Sequence, residues 1–194
     1  MLRLFIALPL TEQVKQKLRE VSSELRQYGG NIKWVDPKNI HVTVRFLGDT
    51  EESAVDDISA ALNRIAANHE PVETVIDRLG GFPNLKQPRV IWAGLAEGAA
   101  FDALTNLAEE VEQSIRDLDF KPDNKRFSPH LTVARVKSPK GLDSLLNHIK
   151  NYRFEPAQLR LDRLILFKST LTPQGPIYER LHEVMLGKQE RFGE

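Results

Sequence analysis

The sequence has no cysteine. Disulfide frameworks, thiolate nucleophiles and cysteine-ligated zinc or iron–sulfur centres are therefore excluded together, and the chain suits a reducing cytoplasm, where it is expected to work. It has no excess charge of either sign, with Lys plus Arg at 27 and Asp plus Glu at 27. Attraction to a polyanion must then come from a local patch and not from a global field. No apolar run approaches the roughly 20 residues that span a bilayer, so no membrane association is expected. A glycine-rich phosphate loop of the nucleoside-triphosphatase type is also missing, which argues against an ATP-driven reaction. The apolar opening, residues 1–10, is short, carries Arg3, lacks a small-residue cleavage site and runs straight into a helical pattern. It reads as a core strand and not as a targeting segment.

What remains is an ordinary globular balance: 194 residues, 41% hydrophobic and 28% charged. That fits one large domain, 1–194, or two small lobes sharing a core. Thr11 is placed to cap a helix reaching about Tyr28, because Val14, Leu18, Val21 and Leu25 recur at steps of three and four before Gly29-Gly30. A short extended piece at 32–35 and a strand at 40–47 follow. A second amphipathic helix carries Val55, Ile58, Leu62 and Ile65. Residues 72–79 read as a strand, 80–84 (Gly-Gly-Phe-Pro-Asn) as a loop and 89–95 as another strand. A third helix holds Phe101, Leu104, Ala108, Val111 and Ile115. Residues 121–129 are polar and basic, hence a loop, and 130–136 read as a strand. A shorter helix carries Leu142, Leu145, Leu146 and Ile149, and 154–186 read mostly as strands with a turn near 173–176. The last residues, 187–194, read as a frayed end. Several neighbouring strands lack a helix between them, which predicts an α+β fold of mainly antiparallel sheets with outer helices.

One pattern stands out. His41-Val42-Thr43-Val44-Arg45 is echoed by His130-Leu131-Thr132-Val133-Ala134-Arg135, each in a strand just after a turn-forming segment. Side chains alternate along a strand, so each histidine shares a face with its threonine while the apolar neighbours point away. Two such strands side by side would line a cleft with two imidazoles and two hydroxyls. Phosphodiester hydrolysis needs that set: one imidazole to take a proton from water, one to give a proton to the leaving ribose oxygen, and hydroxyls to hold the non-bridging oxygens.

The sequence resembles the two-histidine (2H) phosphoesterases, and within them the RNA 2′,3′-cyclic phosphodiesterases, long labelled 2′-5′ RNA ligases. The likeness runs through residues 3–7, through His41-Val42-Thr43-Val44-Arg45-Phe46-Leu47-Gly48, through residues 126–135, and through Ser169-Thr170-Leu171 with Gly175 and Tyr178-Glu179. It implies a bilobal, pseudo-twofold fold with the active-site cleft between the lobes. It also implies hydrolysis of RNA 2′,3′-cyclic phosphate ends to 2′-phosphomonoesters, with His41 as proton donor and His130 as proton acceptor, and neither metal nor other cofactor. The near-symmetric motifs do not themselves order these two roles.

Thr43, Thr132 and Arg135 are the expected substrate-binding residues. Arg135 draws support from the resemblance, yet strict alternation turns it away from His130 unless the strand bulges. Arg45 has the right parity, though a strand-end charge would look the same. Lys121, Lys125 and Arg126 suit RNA phosphates or an ordinary loop, and Phe46, Phe127 and Tyr178 suit a base or the core. His69, His148 and His182 stand alone and read as structural. The expected partner is an RNA with a cyclic phosphate end, with no obligate protein partner and a monomeric chain. Three other readings fit the same pattern less well. They are 2′-5′ ligation at the same site, an RNA-binding module without chemistry, and a metal centre, for which two histidines are too few ligands.

Overall fold

The computed structural model describes residues 1–187. In chain order its elements are β1 (Leu2–Pro9), α1 (Glu12–Leu25), β2 (Ile32–Trp34), β3 (His41–Thr50), α2 (Val55–Ala66), β4 (Val72–Phe82) and β5 (Val90–Leu95). They continue with α3 (Ala99–Arg116), β6 (His130–Val136), α4 (Asp143–Asn151), β7 (Ala157–Leu161), β8 (Arg163–Thr172) and β9 (Gly175–Met185). The helices start and stop where local chemistry allows. Thr11 Oγ1 accepts from Val14 N at 3.4 Å, and the stripe Val14, Leu18, Val21 and Leu25 is buried. A 3-10 turn, Arg26–Tyr28, then carries the chain to Gly29 at φ 76°.

The strands form two antiparallel sheets, β3-β1-β8-β9 and β2-β6-β5-β4-β7. Helices α2 and α3 pack on each other, α2 against β8 and β9 of the first sheet and α3 against β3 of the first and β4 of the second; α1 and α4 pack on each other and against β7 and β4 of the second. The result is the expected α+β arrangement of two lobes with outer helices. The sequence β1-α1-β3-α2-β4 recurs as β5-α3-β6-α4-β8, and the sheets echo it as β3-β1-β8 and β6-β5-β4. Each half of the chain therefore places the last strand of this repeat, β4 or β8, in the other half's sheet. One continuous core of buried side chains runs from Leu4, Ile6 and Leu8 through all four helices to Ile91, Leu131 and Val133.

One expected loop is not a loop. Gly80-Gly81-Phe82 continues β4 to Phe82, and the turn begins only at Pro83. The glycines there answer to packing. Gly80 pairs with Trp92 across the sheet, and a methyl group at Gly80 would overlap the indole ring. At Gly94 a methyl carbon would lie 2.7 Å from Trp92 Cζ3. Both glycines make room for Trp92 to lie against the sheet. The frayed end expected at 187–194 falls outside the described residues beyond Gly187.

Candidate active site

The two motif strands carry the same irregularity. In β3, Thr43 pairs with Ala7 and Arg45 with Ile6, so Val44 is one residue too many. In β6, Thr132 pairs with Trp92 and Ala134 with Ile91, so Val133 is the extra residue. An added residue resets the alternation of faces beyond it. His41, Thr43 and Phe46 consequently share one face, as do His130, Thr132 and Arg135, and all six line a single cleft of about 800 Å³. The bulge resolves the parity objection to Arg135. It overturns the parity argument for Arg45, whose side chain turns inward, is 8% exposed, and meets Glu112 at 2.5 Å, Asp123 at 3.7 Å and the carbonyl oxygens of Phe46 and Lys121. Arg45 ties β3 to α3 and to the segment before β6.

The two histidines sit in different surroundings. His41 stacks on Phe5 with ring centroids 4.9 Å apart, and the edge of Tyr178 closes on it at 5.5 Å. Phe5, Ala7, Ile165 and Phe167 form a small buried cluster on the cleft face of the first sheet, with Tyr178 against it. Burial in that apolar bed pushes the His41 pKa down to about 4, against a backbone hydrogen bond at Asn39 that favours the cation, and the charge of His130 pushes the same way as burial. His130 rests against the edge of Phe82 at 4.9 Å, and Phe82 in turn packs on Trp92. Its Nδ1 lies 2.7 Å from the Ser128 carbonyl oxygen, which only accepts, so Nδ1 carries the hydrogen and donates it. Burial lowers the His130 pKa, the Ser128 hydrogen bond works against that, and the nearby Arg135 charge adds to the lowering.

The cleft also gathers charge that the whole chain lacks. Arg3, Lys33, Lys38, Arg135 and Lys137 line it, against a single carboxylate, Asp36, which pairs with Lys38 at 3.3 Å. The result is a positive groove in a neutral chain.

The profile of the family described as "LigT like Phosphoesterase" matches this chain twice, over residues 8–92 and 95–178. The chain belongs to the LigT-like phosphoesterases. Its relatives include proteins named RNA 2′,3′-cyclic phosphodiesterase from Aquifex aeolicus and Methanocaldococcus jannaschii. The Aquifex protein is 39% identical over 80% of this chain and 82% of its own length. The Methanocaldococcus protein is 33% identical over 94% of this chain and 99% of its own. A solved structure of Thermus thermophilus TT0787 superposes with a TM-score of 0.77 at 29% identity, covering 96% of this chain and all of that one. Escherichia coli LigT complexed with 3′-AMP shares the fold, with a TM-score of 0.75 at 20% identity over 95% of this chain and 98% of its own.

The other residues singled out in the sequence of this phosphoesterase divide cleanly. Phe46, 41% exposed, and Tyr178 line the cleft, whereas Phe127 packs on the main core. Lys121 and Lys125 line a separate shallow groove beside Arg45. The lone histidines hold structural partners: His69 with Glu110, His148 with Glu24 and the Tyr28 ring, His182 with Asn63. Sequence reasoning missed Phe5, Arg3, Lys33 and Lys137 as site residues. The signal for Phe5 lay in β1, where Leu4, Ile6 and Leu8 take the core face and leave Arg3, Phe5 and Ala7 on the other. Arg3 there lies over the Phe46 ring at 4.8 Å.

Proposed function

We propose that this phosphoesterase hydrolyses RNA 2′,3′-cyclic phosphate ends to 2′-phosphomonoesters by two-histidine acid–base catalysis. The observation that carries this reading is the convergence of both His-x-Thr strands, one from each sheet, on one cleft. His130 is the general base. With Nδ1 donating to Ser128, its Nε2 lone pair is free to take a proton from water as the water oxygen bonds to phosphorus. The P–O3′ bond breaks, and His41, as general acid, delivers its proton to O3′. The Thr43 and Thr132 hydroxyls donate to the non-bridging oxygens, and the Arg135 guanidinium offsets their charge.

Metal is not part of this reading. Among the described residues no group of three or more His, Asp or Glu side chains is placed to hold an ion. No helix among the described residues is long and apolar enough to cross a membrane, and the lack of cysteine fits a cytoplasmic setting. The test is hydrolysis of a short RNA ending in a 2′,3′-cyclic phosphate, in EDTA, by the wild type and by His41→Ala and His130→Ala. The wild type should release a 2′-phosphate, and each variant should lose at least about 10²-fold. Full activity in either variant would sink the mechanism.

A further inference from the structure

Three of the cleft cations form a cluster beyond the catalytic pair. In the β2–β6 register Lys33 stands directly opposite Arg135. Residues opposite one another across a ladder share a face, with Cβ atoms about 4.5–5.5 Å apart. Lys137 follows Arg135 by two positions, and its N–H binds the Asn31 carbonyl at 2.8 Å, which extends the pairing past the end of β2. Lys33, Arg135 and Lys137 are all exposed and all line the cleft. Among the described residues none of the three has a carboxylate within ion-pairing distance.

Like charges set opposite each other on a sheet destabilise it. The cost falls away when an anion lies between them. The order along the β6 face is His130, Thr132, Arg135, Lys137, so the cluster runs outward from the catalytic end. The charge of Arg135 is felt at His130, which ties the cluster to the catalytic seat.

We propose that Lys33 and Lys137, the neighbours of the Arg135 that serves the reacting phosphate, form a second phosphate subsite that takes the internucleotide phosphate preceding the cyclic end, so that the substrate is an oligonucleotide and not a free nucleoside cyclic phosphate. This rests on the phosphodiesterase reading above. The bound strand then runs from the catalytic histidines out along the β2–β6 edge, its 5′ side leaving past Lys137. The two lysines act by holding the strand and take no part in proton transfer. Their effect therefore falls on KM and leaves kcat nearly untouched.

The test compares a dinucleotide ending in a 2′,3′-cyclic phosphate with the corresponding nucleoside 2′,3′-cyclic monophosphate. Each is assayed with the wild type and with the double variant Lys33→Ala/Lys137→Ala. The wild type should favour the dinucleotide by about tenfold in kcat/KM, mainly through KM, as two charge-assisted contacts to one phosphate imply. The double variant should lose that preference and keep the mononucleotide activity. A dinucleotide with an uncharged methylphosphonate linkage should behave like the mononucleotide in the wild type. Direct titration of a dinucleotide 3′-phosphate gives a readout apart from turnover, and the double variant should bind it about tenfold more weakly. If the wild type hydrolyses both substrates without preference, or the double variant keeps the preference, the subsite falls and the phosphodiesterase stands. If neither substrate is hydrolysed, the phosphodiesterase reading falls and the subsite with it.

Discussion

His41 must hold a proton to act as an acid, yet its bed of Phe5 and Tyr178 favours the neutral ring. With a pKa of about 4 it is almost wholly uncharged at pH 7 in the free protein. The ring must therefore take up a proton from solvent as substrate binds, since a phosphodiester anion beside it favours the cation and raises the pKa. His130 is lowered too, which suits a base that must be neutral. The sign follows for kinetics. The pH profile of kcat/KM reports the free enzyme. Both limbs should thus lie on the acid side of 6.5, because burial lowers both rings from that value. The profile of kcat, which reports the bound complex, should sit at higher pH. Measuring both profiles on a cyclic-phosphate RNA decides the point. A flat kcat/KM from about pH 5 to 9 would remove the two-histidine mechanism, and coincident profiles would remove the claim that the ring takes up its proton as substrate binds. The His-x-Thr pairs themselves were legible in the sequence because strand alternation is a local property. The acid's low pKa was not, since it comes from rings on β1 and β9 that are remote in the chain.

At the scale of elements, the bulges at Val44 and Val133 decide which arginine serves the cleft. A bulge is a mismatch between two strands, so neither strand's own sequence declares it. This is why alternation held as far as Thr43 and then misplaced Arg45 by one residue. It is also why Arg135 was supported by resemblance before any geometry supported it. The same holds for Gly80, which looks like a turn former until Trp92 is seen lying against it. A consequence can be measured there. Gly80→Ala forces the indole to shift, and Trp92 carries Phe82, which rests on His130. Overpacking of this kind costs about 1–3 kcal/mol. At this chain length the Tm should fall by roughly 2–4 °C for each kcal/mol. Tryptophan fluorescence should change and hydrolysis should weaken, since the imidazole loses its support. An unchanged Tm and spectrum would mean that Trp92 does not lie over Gly80.

The whole molecule has two lobes, but the chain does not divide between them. Strand β4 of the first half sits beside β5 in the second sheet, and β8 of the second half sits beside β1 in the first. Cut between β4 and β5, in the turn between Phe82 and Val90, each half would keep fragments of both sheets and complete neither. The buried core is likewise continuous across both sheets and all four helices. Two lobes of this construction should unfold together. The composition supplies a convenient probe, because the two tryptophans, Trp34 and Trp92, lie in β2 and β5 of the same sheet. Their fluorescence therefore follows the second lobe, while far-UV circular dichroism follows both. In a urea titration the two signals should give one midpoint and one slope, as a cooperative unit requires. Independent lobes would separate the curves, with fluorescence reporting a single transition and dichroism two. That separation would mean that strand exchange does not couple the lobes.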